Sequence, residues 1–337
     1  MIDTATVRGQ FQRFSRQWDD NSLLTDYVDL LRRYLSQPLS DSETAWAYRT
    51  LANVLACSEH ASEAVDVHEA FERWLPGKSP RLSAKVPWYP ADESPDATMG
   101  PAELRVDFLG QSVQFATAYA AIGRYDDFVA KADAALAGLT PTKDNLEVRF
   151  YGLLIFMTAS QLAGDFERAE RRIGEMHAIA DQAENASKAA QLHAQSVTYE
   201  IQLARARNDT ARVAAKLQQA LSLLEELERK GSSGSDLSGY RFELAHHLTQ
   251  SGRHDLALPL LEANRAAGNG SHGDHGYPWL MHAAAVWKVS RDRPQTLALL
   301  REARDHDPRD LTNEFRTSAF EDVQDDPEFL QAISRPG

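Results

Sequence analysis

The sequence predicts an all-α fold built from a series of helical hairpins, and three observations carry that prediction. Apolar residues recur with the 3.6-residue period of an amphipathic helix along most of the 337 residues. A turn pattern returns at Gly123-Arg124-Tyr125, Gly164-Asp165-Phe166 and Gly252-Arg253-His254, each closing one apolar stripe and opening another. These turns lie 41 and 88 residues apart, one and two units of about 40 to 44 residues, the mark of a repeat architecture rather than of two unrelated globular domains. In each turn glycine supplies the left-handed conformation that ends the first helix, and small residues then let the second helix pack closely against it.

The elements follow in order. Val7, Phe11, Phe14 and Trp18 form one helical stripe, and Leu23, Leu24, Tyr27, Leu31, Tyr34 and Leu35 a second. Residues 1–37 therefore read as a helical pair, a degenerate repeat or N-terminal cap. A DNA-reading helix-turn-helix is the alternative, and Asp19, Asp20, Asp26 and Asp29 argue against it. Ser40-Asp41-Ser42-Glu43 has the spacing of a capping box and starts the next helix. Residues 38–308 then carry the hairpins, with three interruptions. Pro76 to Pro101 holds six of the 14 prolines with Trp88 and Tyr89, so it cannot be helical throughout; it is either a surface loop pinned by its aromatics or a flap over a groove. Residues 231–235 read as a flexible Gly/Ser connector and residues 268–276 as an extended inter-repeat loop. Residues 309–337 read as a C-terminal helical cap, with Phe315, Ala319, Phe320 and Val323 on one short helix and Asp326-Pro327 as N-cap and first position of another. From Asp305 onward there are nine acids and three arginines, a solvated capping face or a site for a basic partner.

These residues resemble the tetratricopeptide repeat (TPR), a helix-turn-helix unit. Aligned to its pattern, the units read Tyr48, Leu51, Ala52, Ala61, Ala64 and Pro76; Phe115, Tyr119, Gly123, Tyr125, Phe128 and Ala135; Leu153, Phe156, Gly164, Phe166 and Ala169; Val197, Ile201, Ala204 and Ala220; Leu244, Leu248, Gly252, His254 and Ala257; and Leu280, Ala283, Ala284, Trp287, Leu300 and Pro308. Turn positions fall at Glu59, Gly123, Gly164, Asn208, Gly252 and Arg291. The resemblance implies a right-handed α-solenoid of about six TPR-like hairpins. Its units are longer than the family norm and similar to those of bacterial peptide receptors and regulators.

Composition narrows the function. The 36 Lys and Arg stand against 49 Asp and Glu, a net charge of −13, which disfavours nonspecific nucleic-acid binding and anionic membranes. Cys57 is the single cysteine, so an intramolecular disulfide and a cysteine-rich zinc site are excluded; its simplest role is a small buried residue. No run approaches the roughly 18 apolar residues of a membrane span, and Met1 to Arg16 lacks the apolar core of a signal peptide. A cytoplasmic location is the expectation. No phosphate-binding glycine loop, nucleophile elbow or dinucleotide fingerprint is present, and no cofactor is expected.

The resemblance also implies where a partner binds, since the first helices of successive units line a concave surface. In the alignment above those positions include Trp46, Arg49, Asn53 and Cys57; Gly110, Val113 and Thr117; Tyr151, Leu154, Thr158 and Gln161; Gln195, Thr198, Gln202 and Arg205; Phe242, His246 and Thr249; and Met281, Ala285 and Lys288. None is acidic. Amides can pair with an extended peptide backbone without demanding a sequence, and Arg49, Arg205 and Lys288 suit carboxylates. The expected partner-binding residues are Arg49, Asn53, Tyr151, Gln161, Gln195, Gln202, Arg205, Phe242, His246 and Lys288, and the expected function is non-enzymatic capture of a peptide or protein by a regulator or scaffold. The alternative is a metal sensor or metal-dependent enzyme using the histidines between 246 and 282, with His272, Asp274 and His275 as ligands.

Overall fold

The computed structural model describes residues 21–58, 60–78, 99–142, 145–183, 185–231, 234–267, 276–307, 310–317 and 319–334, together with 2–3, 5–7 and 9–10. Among them it is all-helical, and the helices pack in adjacent pairs. The chain divides into two compact units, residues 1–184 and 185–337.

The first unit contains α1 (Asn21–Leu35), α2 (Asp41–Cys57), α3 (Ala61–Trp74), α4 (Pro101–Leu109), α5 (Val113–Ala121), α6 (Tyr125–Gly138), α7 (Leu146–Leu162) and α8 (Phe166–Ala180). Helix α2 starts on the expected capping box: Ser40 Oγ accepts from the Glu43 N–H, and the Glu43 carboxylate accepts from the Ser40 N–H. Helices α2 and α3, α5 and α6, and α7 and α8 pair, and α1 packs on α2. Aromatic rings form a stack through the core: Phe71 lies face to face with Phe108 (4.4 Å between centroids), and the contacts of Phe108 with Phe115 (5.5 Å), Phe115 with Tyr119 (5.7 Å) and Phe128 with Phe156 (5.8 Å) are edge-on. His68, fully buried, lies within this stack and meets the Tyr119 hydroxyl at 2.6 Å.

The second unit contains α9 (Ala186–Ala206), α10 (Thr210–Arg229), α11 (Gly234–Gln250), α12 (His254–Ala266), α13 (Tyr277–Ser290), α14 (Arg293–His306), α15 (Thr312–Thr317) and α16 (Pro327–Ile333). Its pairs are α9 with α10, α11 with α12, and α13 with α14. Phe315, Phe320 and Phe329, all fully buried, close the end of this unit against Trp287 and Leu300. Asp326 caps α16 by accepting from the Glu328 N–H at 2.9 Å, with Pro327 at its first position. The acidic tail is bound to the unit: Lys288 pairs with Glu321, Arg291 with Asp322, and Arg293 with Asp326 and Glu328.

The turn positions read from the sequence hold in the backbone. Gly123, Gly164, Asn208, Gly252 and Arg291 all have positive φ, between +56° and +77°. Tyr125, Phe166 and His254 open the helices that follow three of them. Glu59 and the greater part of the Pro-rich insertion, residues 79–98, lie outside the described residues. One segment departs from expectation. Gly110, Val113 and Thr117 were expected on a single helix, but the chain breaks between Leu109 and Val113. Gly110 sits where a Cβ would lie 2.8 Å from the Gly152 Cα, and Ser112 caps a new helix through the Phe115 N–H.

Candidate functional site

The first unit holds a cleft of about 430 Å³ between α2, α4 and α7. Its existence depends on two glycines. Gly110 and Gly152 allow α4 and α7 to approach until their backbones nearly touch, and a Cβ on Gly152 would lie 2.5 Å from Val106 Cγ1. Arg49, on α2, reaches Asp107 on α4 through Nε to Oδ2 (2.9 Å) and Nη2 to Oδ1 (3.0 Å), a two-pronged pair. Burial pulls the Arg49 guanidinium down and pushes the Asp107 carboxyl up, and each opposes the shift of the other.

Next to this neutralised pair, Gln111 occupies the break between α4 and α5 and lines the cleft. Both its amide nitrogen and oxygen are buried, and neither finds a hydrogen-bond partner among the described residues. A buried amide in that condition costs free energy until something pairs with it. Tyr151, 47% exposed, stands at the same cleft beside Leu154 and Ile155. The cleft thus offers one donor, one acceptor, an aromatic face and apolar walls, with Arg49 already paired to Asp107 and the Glu147 carboxylate also at its lining.

The other expected site residues are distributed as follows. Asn53, half-buried, accepts from the Ser112 hydroxyl. Gln161, at the end of α7, keeps a buried carbonyl oxygen without a partner among the described residues. In the second unit Gln195 and Gln202 are half-buried on α9, and Phe242 packs against the core. His246 is beside Gln250 and 5.8 Å from the Tyr277 ring. Arg205 donates to the His247 carbonyl (3.0 Å) and the Ser251 hydroxyl (2.8 Å). Lys288 is committed to Glu321 at 2.9 Å. Trp46, Thr198, Met281 and Ala285, placed by the alignment on a binding surface, are instead buried. Arg49 and Tyr151 therefore share one cleft, joined by Asp107 and Gln111, which sequence reasoning missed. The Gly110-Gln111-Ser112 turn between two apolar runs was the available signal.

Among the described residues no group of three or more His, Cys, Asp or Glu is placed to hold a metal. His272, Asp274 and His275 lie outside those residues. No described helix is long and apolar enough to cross a membrane. No protein-family model matches the sequence, and no curated protein matches it significantly.

Proposed function

We propose that the chain is a non-enzymatic, TPR-like binding module, a cytoplasmic regulator or scaffold whose first unit takes up an extended segment of a peptide or protein partner. The observation that supports this most directly is the unpartnered Gln111 amide beside exposed Tyr151. A peptide group carries one N–H and one C=O, and a single carboxamide matches both without reading a side chain. Tyr151 adds broad contact area at small entropic cost. The Arg49–Asp107 pair satisfies its own charges within the cleft and leaves Glu147 as the remaining carboxylate of the lining. The solenoid arrangement belongs to the same proposal, and small-angle scattering tests it: an elongated, curved particle is expected, and a compact globular one would overturn it.

The test uses a peptide selected from a random display library against the full chain, its affinity read by fluorescence anisotropy. Gln111→Leu and Tyr151→Ala are expected to weaken binding by about tenfold each. Circular dichroism checks that both variants remain folded. Unchanged affinity in folded variants overturns the assignment of the cleft.

A further inference from the structure

The second unit holds a separate cavity of about 510 Å³, within the size range of small-molecule sites. It lies where the C-terminal ends of α9 and α11 meet the first halves of α10 and α12. One side of it is aliphatic, with Val213, Leu217 and Leu221 from α10, Leu248 from α11 and Leu256 from α12, and its rim is polar, with Asn208, Thr210, Gln218, Gln250 and Ser251. The basic groups at its edge differ in their partners. Arg253 is neutralised by Asp255, with contacts of 3.1 and 2.9 Å. Arg205 is held only by an uncharged carbonyl and a hydroxyl, and its Nη1 is buried with no hydrogen-bond partner among the described residues. Asp209, also at the cavity, accepts from the Arg212 N–H and caps α10. Burial alone depresses Arg205, since no carboxylate offsets it.

A partly buried guanidinium without a counter-ion is unusual in a chain carrying −13. Beside a partly aliphatic cavity, it is complementary to one kind of molecule. We infer that the cavity binds a small aliphatic carboxylate, its anion held by Arg205 Nη1 and its chain lying against Val213, Leu217, Leu221, Leu248 and Leu256. The carboxylate would supply the charge and the hydrogen bond that Arg205 lacks, while the leucines exclude water from the pair. This site is independent of the cleft in the first unit.

Titration calorimetry of the full chain with butanoate, hexanoate, octanoate and decanoate tests it, with 1-octanol and octylamine as matched probes. Each added methylene is expected to tighten binding about 3- to 4-fold, and octanoate should bind at least about tenfold better than octanol or octylamine. Arg205→Gln should weaken octanoate about tenfold and leave octanol within about twofold. Val213→Trp, which fills the cavity and leaves Arg205 intact, should abolish both. Because Arg205→Gln also frees the His247 carbonyl, its fold is checked by circular dichroism; if it fails to fold, the chain-length series and Val213→Trp still decide. Gln111→Leu should leave octanoate binding unchanged. Equal affinity for octanol and octanoate, no dependence on chain length, or full octanoate affinity in folded Arg205→Gln or Val213→Trp would overturn the inference.

Discussion

The closeness of α4 and α7 yields the sharpest prediction, because two effects of known size oppose each other. Replacing glycine by alanine ordinarily stabilises a helix by about 0.5–1 kcal/mol through reduced freedom of the unfolded chain. At Gly110 the new Cβ would lie 2.8 Å from the Gly152 Cα and 2.9 Å from the Val106 carbonyl oxygen, against an ordinary contact of 3.4–4 Å. Both obstacles are backbone, so no rotamer change relieves them: α4 and α7 must separate to clear Gly152, and the end of α4 must distort to clear its own Val106 carbonyl. Overpacking of this kind costs about 1–3 kcal/mol, leaving a net loss of up to about 2.5 kcal/mol. Gly174, on the exposed face of α8, has nothing within 4 Å of its would-be Cβ, so Gly174→Ala should show the gain alone. At about 2–4 °C per kcal/mol, Gly110→Ala should lower the melting temperature by several degrees and Gly174→Ala should raise it by about 2–3 °C. Scanning calorimetry of both variants measures this directly. A Gly110→Ala protein as stable as Gly174→Ala would refute the packing argument, and with it the account of how the cleft is formed.

Three further outcomes follow from the same structure. His247, buried near Arg205 and His246, is held down to about 3, chiefly by burial. The unfolded chain therefore takes up a proton below pH 6.5 that the folded chain refuses, and stability should fall between pH 6.5 and about 3. By pH 5 the loss is about 2 kcal/mol; urea melts at pH 7 and pH 5 should show it, and a folded His247→Leu variant with the same slope would contradict it. Asn208 adopts φ of +57°, so Asn208→Gly should be near neutral while Asn208→Ala costs about 1 kcal/mol, a difference that denaturant midpoints resolve. Phe329 is fully buried against Trp287 and beneath Arg293. Phe329→Ala should cost about 3–5 kcal/mol, whereas Arg293→Ala, which removes partly exposed ion pairs, should cost about 1 kcal/mol or less. Equal losses in the two variants would show that the cap is held by charge rather than by packing.

What the sequence revealed and what it concealed divide along the reach of the interactions. The turns at Gly123, Gly164, Asn208, Gly252 and Arg291 were legible because backbone conformation and helix termination are decided within a few residues. The caps at Ser40 and Asp326 were legible for the same reason. The break at Gly110 left a local trace in the Gly110-Gln111-Ser112 turn, but the approach of Gly152 on another helix left none. Nor was the burial of Trp46, Thr198, Met281 and Ala285 legible. A fixed spacing carried over from shorter repeats drifts around a longer helix, and after a few turns a position assigned to one face has moved to another. The Arg49–Asp107 and Lys288–Glu321 pairs join residues far apart in sequence, and no local pattern announces them.

Those long-range pairs change what the acidity of the chain means. Read along the sequence, the positions assigned to the groove include Arg49, Arg205 and Lys288 and no acid, a surface suited to carboxylates. In the structure Asp107 neutralises Arg49 and Glu321 neutralises Lys288. The tail acids Asp322, Asp326 and Glu328 likewise pair with Arg291 and Arg293 at the C-terminal cap. Much of this negative charge therefore serves internal assembly and does not mark a site for a basic partner. By the same logic Arg205 stands apart, because the described residues of its unit provide carboxylates for neighbouring cations and none for it. A cleft whose arginine is already paired suits an uncharged peptide backbone, and an unneutralised guanidinium at a partly aliphatic cavity suits an anion. The two units are thus chemically distinct, and a ligand that occupies one has no electrostatic reason to occupy the other.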